Sequence, residues 1–328
     1  MDAFSEVLSG VRLRGAVYFR AAMSAPWEMA SPPSREFAPL LAPGAEHLII
    51  FHLVVGGTLR AGIVGGEPVL LTPGHIVAFP HGDAHALGGG PGPAPVDDGA
   101  VMQKISSRDL RPLSLGGGGE TTELVCGFLA CDPLLCGPIL QGLPKMISVH
   151  VRSDRAGQWL EQSIVHLADE AAANRPGSEA MLSKLSEALF VDTLRRFVAT
   201  LPDSATGWLA GARDAAVGRA LALLHNRPHH TWTIAEIADA VGVSRTVLVE
   251  RFSGLIGEPP MAYLTGWRLR LAAEALRTTS KGVADIAAEV GYESEAAFNR
   301  AFKRAFGLPP ATFRREQRAS SGRIVGSQ

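Results

Sequence analysis

The sequence is poor in cysteine, has no long apolar run and carries almost no net charge. Three cysteines among 328 residues, Cys126, Cys131 and Cys136, cannot build a disulfide framework, which points to a reducing, cytoplasmic address. No apolar stretch reaches the roughly 18–20 residues that a membrane span needs, so no membrane partner is expected. The N-terminal residues MDAFSEVLSGVRLRGAVYF carry acidic groups early and lack the hydrophobic core of a secretion signal. No Ser/His/Asp or Cys/His arrangement marks a nucleophilic catalyst, and no glycine loop of the phosphate-binding kind precedes a helix. The spacing C-x4-C-x4-C fits no standard zinc site. The chain is therefore read as a non-enzyme without cofactor or metal. Its net charge of −1 hides an asymmetry: +4 from Asp214 onward against −5 before it. The length predicts about two domains.

What the chain does have is an internal repeat. Ile234 to Pro260 reads IAEIADAVGVSRTVLVERFSGLIGEPP, and Val283 to Pro310 reads VADIAAEVGYESEAAFNRAFKRAFGLPP. Ala238 and Gly242 precede Ala287 and Gly291 by 49 residues. Ser244, Phe252, Gly257, Pro259 and Pro260 precede their counterparts Ser294, Phe302, Gly307, Pro309 and Pro310 by 50. The offset changes in the turn, where GVS becomes GYES. In each copy a small alanine permits close helix approach, a glycine permits the turn, and a serine caps the next helix. That next helix carries an apolar stripe: Val247, Leu248, Phe252 and Leu255/Ile256 in the first copy, Ala297, Phe298, Ala301, Phe302 and Phe306 in the second. Helix, glycine turn and second helix form the motif that lays its second helix in a DNA major groove.

These residues resemble the DNA-binding domain of the AraC/XylS family of bacterial transcription regulators over 214–318. The resemblance implies two helix-turn-helix units joined by a long helix from about Pro260 to Thr278, with both recognition helices in successive major grooves of double-stranded promoter DNA. Base contacts are expected from the exposed start of each recognition helix: Arg245, Thr246, Val249 and Glu250, then Glu295, Ala296, Asn299 and Arg300. Arginine pairs with guanine, asparagine with adenine, and glutamate accepts from cytosine. Glu250 stands where family members often carry a basic residue, which moves attention to Arg251. Glu295 also suits the positive end of its helix. Lys303 and Arg304, with Arg314, Arg315 and Arg318, make a basic cluster suited to phosphates.

Residues 11–150 read as short strands rich in Val, Ile, Leu and Phe, separated by turn residues, as in an all-β sandwich or barrel. Gly88 to Gly99 and Gly116 to Gly119 read as flexible loops. Gly74, Pro80, Gly82 and His85 in PGHIVAFPHGDAHAL have the spacing G-x5-P-x-G-x2-H, which resembles the second motif of the cupin fold. The first cupin motif, His-x-His followed by Glu, is missing, which argues against a bound metal and against a metal-dependent cupin enzyme, the rival reading. His47 and His52 lie five apart and face opposite sides of a continuous strand; His52 and His85 have the placement to converge inside the barrel. A small-molecule effector pocket is expected near His52, Phe79, His81 and His85. Cys126 reads as a core residue, whereas Cys131 and Cys136 flank DPLL in a loop or helix start, the basis of an alternative redox switch.

Residues 154–200 read as helices. The second carries a stripe of Leu182, Leu185, Leu189, Phe190, Leu194 and Phe197, expected to support a homodimer. The expected fold class is α+β: a cupin-like β-barrel with trailing helices, then an all-α domain of two helix-turn-helix units. The boundaries are 1–150 for the sensor domain, 151–200 for the dimerisation segment, 201–213 for a linker in which Trp208 docks on a domain, 214–318 for the DNA-binding domain and 319–328 for a disordered tail. The expected function is transcription regulation, as an activator working with RNA polymerase, controlled by a small molecule or chemical stress.

Overall fold

The computed structural model describes residues 13–92 and 95–325. Two compact units emerge. One, the β unit, comprises Arg12–Asp132 and Leu143–Thr200; the other, the helical unit, includes Pro133–Gly142 and Leu201–Gln328.

Among the described residues, the β unit contains ten strands in two sheets. The first sheet has the order β10 (Ile147–His150), β6 (His75–Phe79), β3 (His47–Gly56), β9 (Thr121–Cys131), β1 (Arg14–Ser24), β8 (Leu113–Gly116). The second has the order β2 (Trp27–Ser31), β7 (His85–Gly89), β4 (Leu59–Ile63), β5 (Val69–Leu71). The pairings are antiparallel except for β1 with β8. The core between the sheets takes Phe19, Met23, Val54, Val77, Phe79 and Cys126 from the first, and Trp27, Leu59, Ala61 and Leu87 from the second. Strand β3 is apolar along its length because both of its faces are covered, so its burial does not alternate.

Three helices lie within the strand-rich part of the chain: α1 (Ser34–Leu41), α2 (Asp98–Ser106) and α3 (Pro133–Gln141), the last at the loop or helix start expected at DPLL. The Gly88–Gly99 segment accordingly begins inside β7 and ends inside α2, whose N-cap is Asp97. Helix α1 closes over Leu48 and Ile50 of β3. Helix α3 is almost wholly apolar and belongs to the helical unit, where Leu134 packs against the core of the second repeat. The sensor boundary expected at 150 thus overlooks one helix. Helices α4 (Arg155–Ala172) and α5 (Ser178–Thr200) pair with each other, and α5 lies against β1. Its stripe of Leu182, Leu189, Phe190 and Leu194 is buried within this chain.

The helical unit continues with α6 (Trp208–Arg213), α7 (Ala215–Asn226), α8 (Ile234–Val241), α9 (Arg245–Ile256), α10 (Pro260–Thr278), α11 (Val283–Glu289), α12 (Glu295–Phe306) and α13 (Pro310–Val325). The expected linker is helical at its end: Trp208 is buried and its Nε1–H donates to the Tyr263 hydroxyl at 2.9 Å. Helix α13 runs to Val325, so residues 319–325 are helical rather than an unstructured tail; 326–328 fall outside the described residues.

Candidate nucleic-acid interface and sensor cavity

Each repeat folds as its spacing demands. In the first, Thr233 and Glu236 form a reciprocal capping box on α8, Gly242 closes that helix at φ +75°, and the Ser244 hydroxyl accepts from the Val247 amide to start α9. In the second, Gly291 turns at φ +86°, and the Ser294 hydroxyl accepts from the Ala297 amide to start α12. Gly257 and Gly307 end the two second helices in the left-handed conformation, and Pro260 and Pro310 open the next ones. Leu248 and Phe252 fix α9 to its partner helices, and Phe298 and Phe302 fix α12. Val247, read as part of the buried stripe, is instead 38 % exposed, because it lies on the flank of α9 beside Thr246.

The faces left open are those at the helix starts. Arg245, Thr246, Glu250, Glu295, Ala296, Arg300, Lys303 and Arg304 are exposed, and Val249 and Asn299 are half-buried. Arg245, Arg300, Lys303 and Arg304 make no ion pair among the described residues. Arg251 does: its guanidinium grips Asp214, the residue that caps α7, so it is anchored within the unit rather than free for DNA. Arg314 and Arg318 are likewise diverted. Arg314 donates to the carbonyls of Leu276 and Lys281, and Arg318 to that of Thr279, so both close the C-terminal end of α10. Arg315 alone of the three remains exposed without such a bond.

In the β unit, His52 and His85 converge, with Nε2 to Nε2 at 2.9 Å. His52 also places Nδ1 2.8 Å from the Cys126 sulfur, and His85 places Nδ1 3.0 Å from the Asp83 carbonyl. A carbonyl can only accept, which fixes the whole chain of hydrogens. His85 Nδ1–H donates to Asp83, leaving His85 Nε2 bare to accept from His52 Nε2–H. His52 Nδ1 then accepts the Cys126 S–H. Every group is satisfied with both rings neutral. Burial supports this state: it pushes His85 down to about 4 and, with the neighbouring His85, takes His52 well below the usual range, while it pushes the Cys126 thiol up. Phe79 stacks on His85 with ring centroids 3.9 Å apart.

Of the four expected pocket residues, His52 lines a cavity of about 280 Å³ that the other three do not line, with further walls that include Phe19, Phe37, Val101 and Ile105. Phe79 and His85 stand buried behind it, and His81 lies elsewhere. The turn at Gly82, with φ +65°, sends His81 outward, where its Nε2 meets the Leu143 carbonyl at 3.0 Å. His47, on the other face of β3 from His52, bonds the Pro80 carbonyl. No group of three or more His, Cys, Asp or Glu among the described residues has metal-holding geometry. Cys131 is the last residue of β9 and Cys136 lies in α3, and both are buried, at 6 % and 3 % exposure. The expected helix start at DPLL is present, and both thiols are buried rather than exposed. The wall residues from α1 and α2 escaped sequence reading because those helices sit in segments dominated by proline, glycine and aspartate.

Two helix-turn-helix units on a chain that also carries a two-sheet β unit define a DNA-binding transcription regulator. Residues 2–199 match the cupin family, and residues 237–316 match the helix-turn-helix domain family. A putative AraC-like transcription regulator of Streptomyces lividans is 33 % identical over 83 % of this chain and 88 % of its own length. The HTH-type transcriptional regulator AlkR of Acinetobacter baylyi is 28 % identical over 96 % of this chain and all of its own. The RCS-specific HTH-type transcriptional activator RclR of Escherichia coli is 25 % identical over 97 % and 99 %. Among solved structures, the DNA-binding domain of AdpA in complex with a target DNA matches 33 % of this chain and 96 % of that one, at 27 % identity and a TM-score of 0.32. The chain belongs to the AraC family of helix-turn-helix transcription regulators, with a cupin domain in its N-terminal part. These relatives are named as transcription regulators, and this chain is a DNA-binding transcription regulator of the same family. Among the described residues no helix is long and apolar enough to cross a membrane.

Proposed function

We propose that the chain binds promoter DNA through the starts of α9 and α12, and that a small molecule held in the β unit changes which conformations bind productively. The observation that carries this reading is the shared pattern of the two repeats: each buries the body of its helix pair and leaves the first turns of the second helix in solvent. On α9, Arg245, Thr246, Val249 and Glu250 face bases; on α12, Glu295, Ala296, Asn299 and Arg300 do so. Lys303 and Arg304, further along α12, meet phosphates, which position the protein without reading sequence. Arg251 joins only by leaving Asp214. A homodimer suits repeated half-sites, and Trp159 on α4 and Met181 on α5 remain exposed to support one. The output is activation through RNA polymerase in the cytoplasm.

The test is fluorescence anisotropy of the full chain on DNA from upstream of its own gene, across a salt series and against random competitor. Competitor-resistant binding with a steep salt slope is expected. Failure there and in selection from genomic fragments would reject the reading. Sedimentation of the same sample reports the dimer.

A further inference from the structure

We propose that the 280 Å³ cavity of the β unit takes a compact, uncharged, largely apolar molecule of one to two rings, packed against the face of His52. The inference rests on the sensing role proposed above and narrows it to a chemical class.

Three observations carry it. The first is size and lining. An apolar cavity of roughly 150 Å³ already holds a benzene-sized guest, so this one has room for about twice that. Its walls include Phe19, Met29, Phe37 and Val101, Ser31 adds a single hydroxyl, and Met102 is 44 % exposed at the mouth. The second is the polar wall. His52 is 1 % exposed and both of its ring nitrogens are already engaged, one with Cys126 and one with His85. It therefore offers a guest its ring and no free donor or lone pair. Because it turns opposite edges to Cys126 and His85, no single point receives all three groups, so a metal ion has no seat there. The third is charge. No lysine or arginine lines the cavity, and the exposed Glu36 stands at its mouth. A carboxylate guest meets repulsion without a compensating cation, and burying any charge against this lining is costly.

The experiment is calorimetric titration of the full chain with three probes that share the indole ring: indole, indole-3-carboxylate and tryptamine. DNA affinity is followed by anisotropy in parallel. Saturable one-to-one binding of indole is expected, with both charged probes weaker by at least about tenfold. Val101→Phe and Met29→Phe, which fill the cavity from two sides, should each abolish indole binding. Melting and DNA binding without probe identify a variant that has merely failed to fold. Glu36→Gln should narrow the gap for the carboxylate. Absence of indole binding up to its solubility, equal binding of the carboxylate, or binding that survives both filling variants would overturn the proposal. Indole bound as expected, with DNA affinity unchanged by every cavity guest, would leave the ligand class standing and count against the sensing role. Charged or strongly polar molecules that shift DNA affinity while indole fails to bind would do the reverse.

Discussion

Gly242 and Gly291 hold equivalent corners of the two repeats, yet alanine should be tolerated very differently at the two. Both sit at positive φ, +75° and +86°, which costs a non-glycine residue about 1–2 kcal/mol. A methyl at Gly242 meets nothing within 4 Å, whereas at Gly291 it would lie 2.7 Å from the His229 carbonyl oxygen and 2.9 Å from the Arg268 guanidinium. Arg268 is itself fixed by bonds to the carbonyls of Pro228 and His230. Gly242→Ala is expected to lose about 1–2 kcal/mol, and Gly291→Ala that amount plus a clash of about 1–3 kcal/mol, measured by urea unfolding. The basic residues divide in the same way. Removing Lys303 should lower the slope of log affinity against log salt by about 0.9 with no change in melting. Arg314→Ala should lower the melting temperature and leave that slope alone, because its guanidinium serves carbonyls at the end of α10. Equal slopes for Lys303→Ala and wild type would remove Lys303 from the phosphate contacts. In the sequence these side chains look alike. Only the helix ends they reach tell them apart, and those lie more than thirty residues away.

At the level of elements, legibility followed local signals. The repeats were readable because their corners are glycine, their caps serine and their stops paired proline, and the long helix runs over Pro260–Thr278 as the spacing requires. Strands β1, β3, β4, β5, β6 and β9 were readable from their apolar runs, whereas β2, β7, β8 and β10 were not, being short, with glycine at the ends of β7 and β8. Helices α1 and α2 were not readable, and α3 only at its start, since proline lies inside α1 and α3 and glycine inside α2, and their helicity is imposed by the apolar surface they cover. The cavity walls went unread with them, so His52 was found and Phe37, Val101 and Ile105 were not. Helix α6 shows how such a short element is held. Trp208 donates to the Tyr263 hydroxyl, which also meets His225 Nε2 at 2.7 Å. Tyr263→Phe removes the hydroxyl that accepts from the Trp208 indole N–H and meets His225 Nε2. Losing a buried hydrogen-bond partner costs about 1–3 kcal/mol, so a loss within that range is expected in the unfolding of the helical unit. A loss below about 1 kcal/mol would show that water reaches the site.

Over the whole molecule, buried histidines give both units the same response to acid. His52 and His85 in the β unit and His225 in the helical unit all have their protonation suppressed, by burial first; His85 falls to about 4 and His225 to about 3. In the unfolded chain each titrates near 6.5. As pH falls below that value the unfolded chain takes up protons that the folded one refuses, so stability is fully present above about 6.5 and is lost downward. For His85 the loss is complete near pH 4, on the order of 3 kcal/mol at about 1.4 kcal/mol per unit. The melting temperature should therefore be level above pH 7 and fall steadily from 6.5 to 4. The two units separate through His225→Phe. Phenylalanine keeps the ring that packs 4.2 Å from Trp267, and the Tyr263 hydroxyl keeps Trp208 as its donor. With no imidazole to protonate, the helical unit should lose most of its pH dependence while the β unit keeps its own. Amide exchange, expressed as protection factors to cancel intrinsic rates, reads the two separately: residues 215–278 should protect nearly equally at pH 7 and pH 5 in the variant, and residues 47–89 should still open in acid. Should protection over 215–278 fall as steeply in His225→Phe as in wild type, the acid response of that unit comes from groups other than its buried histidine.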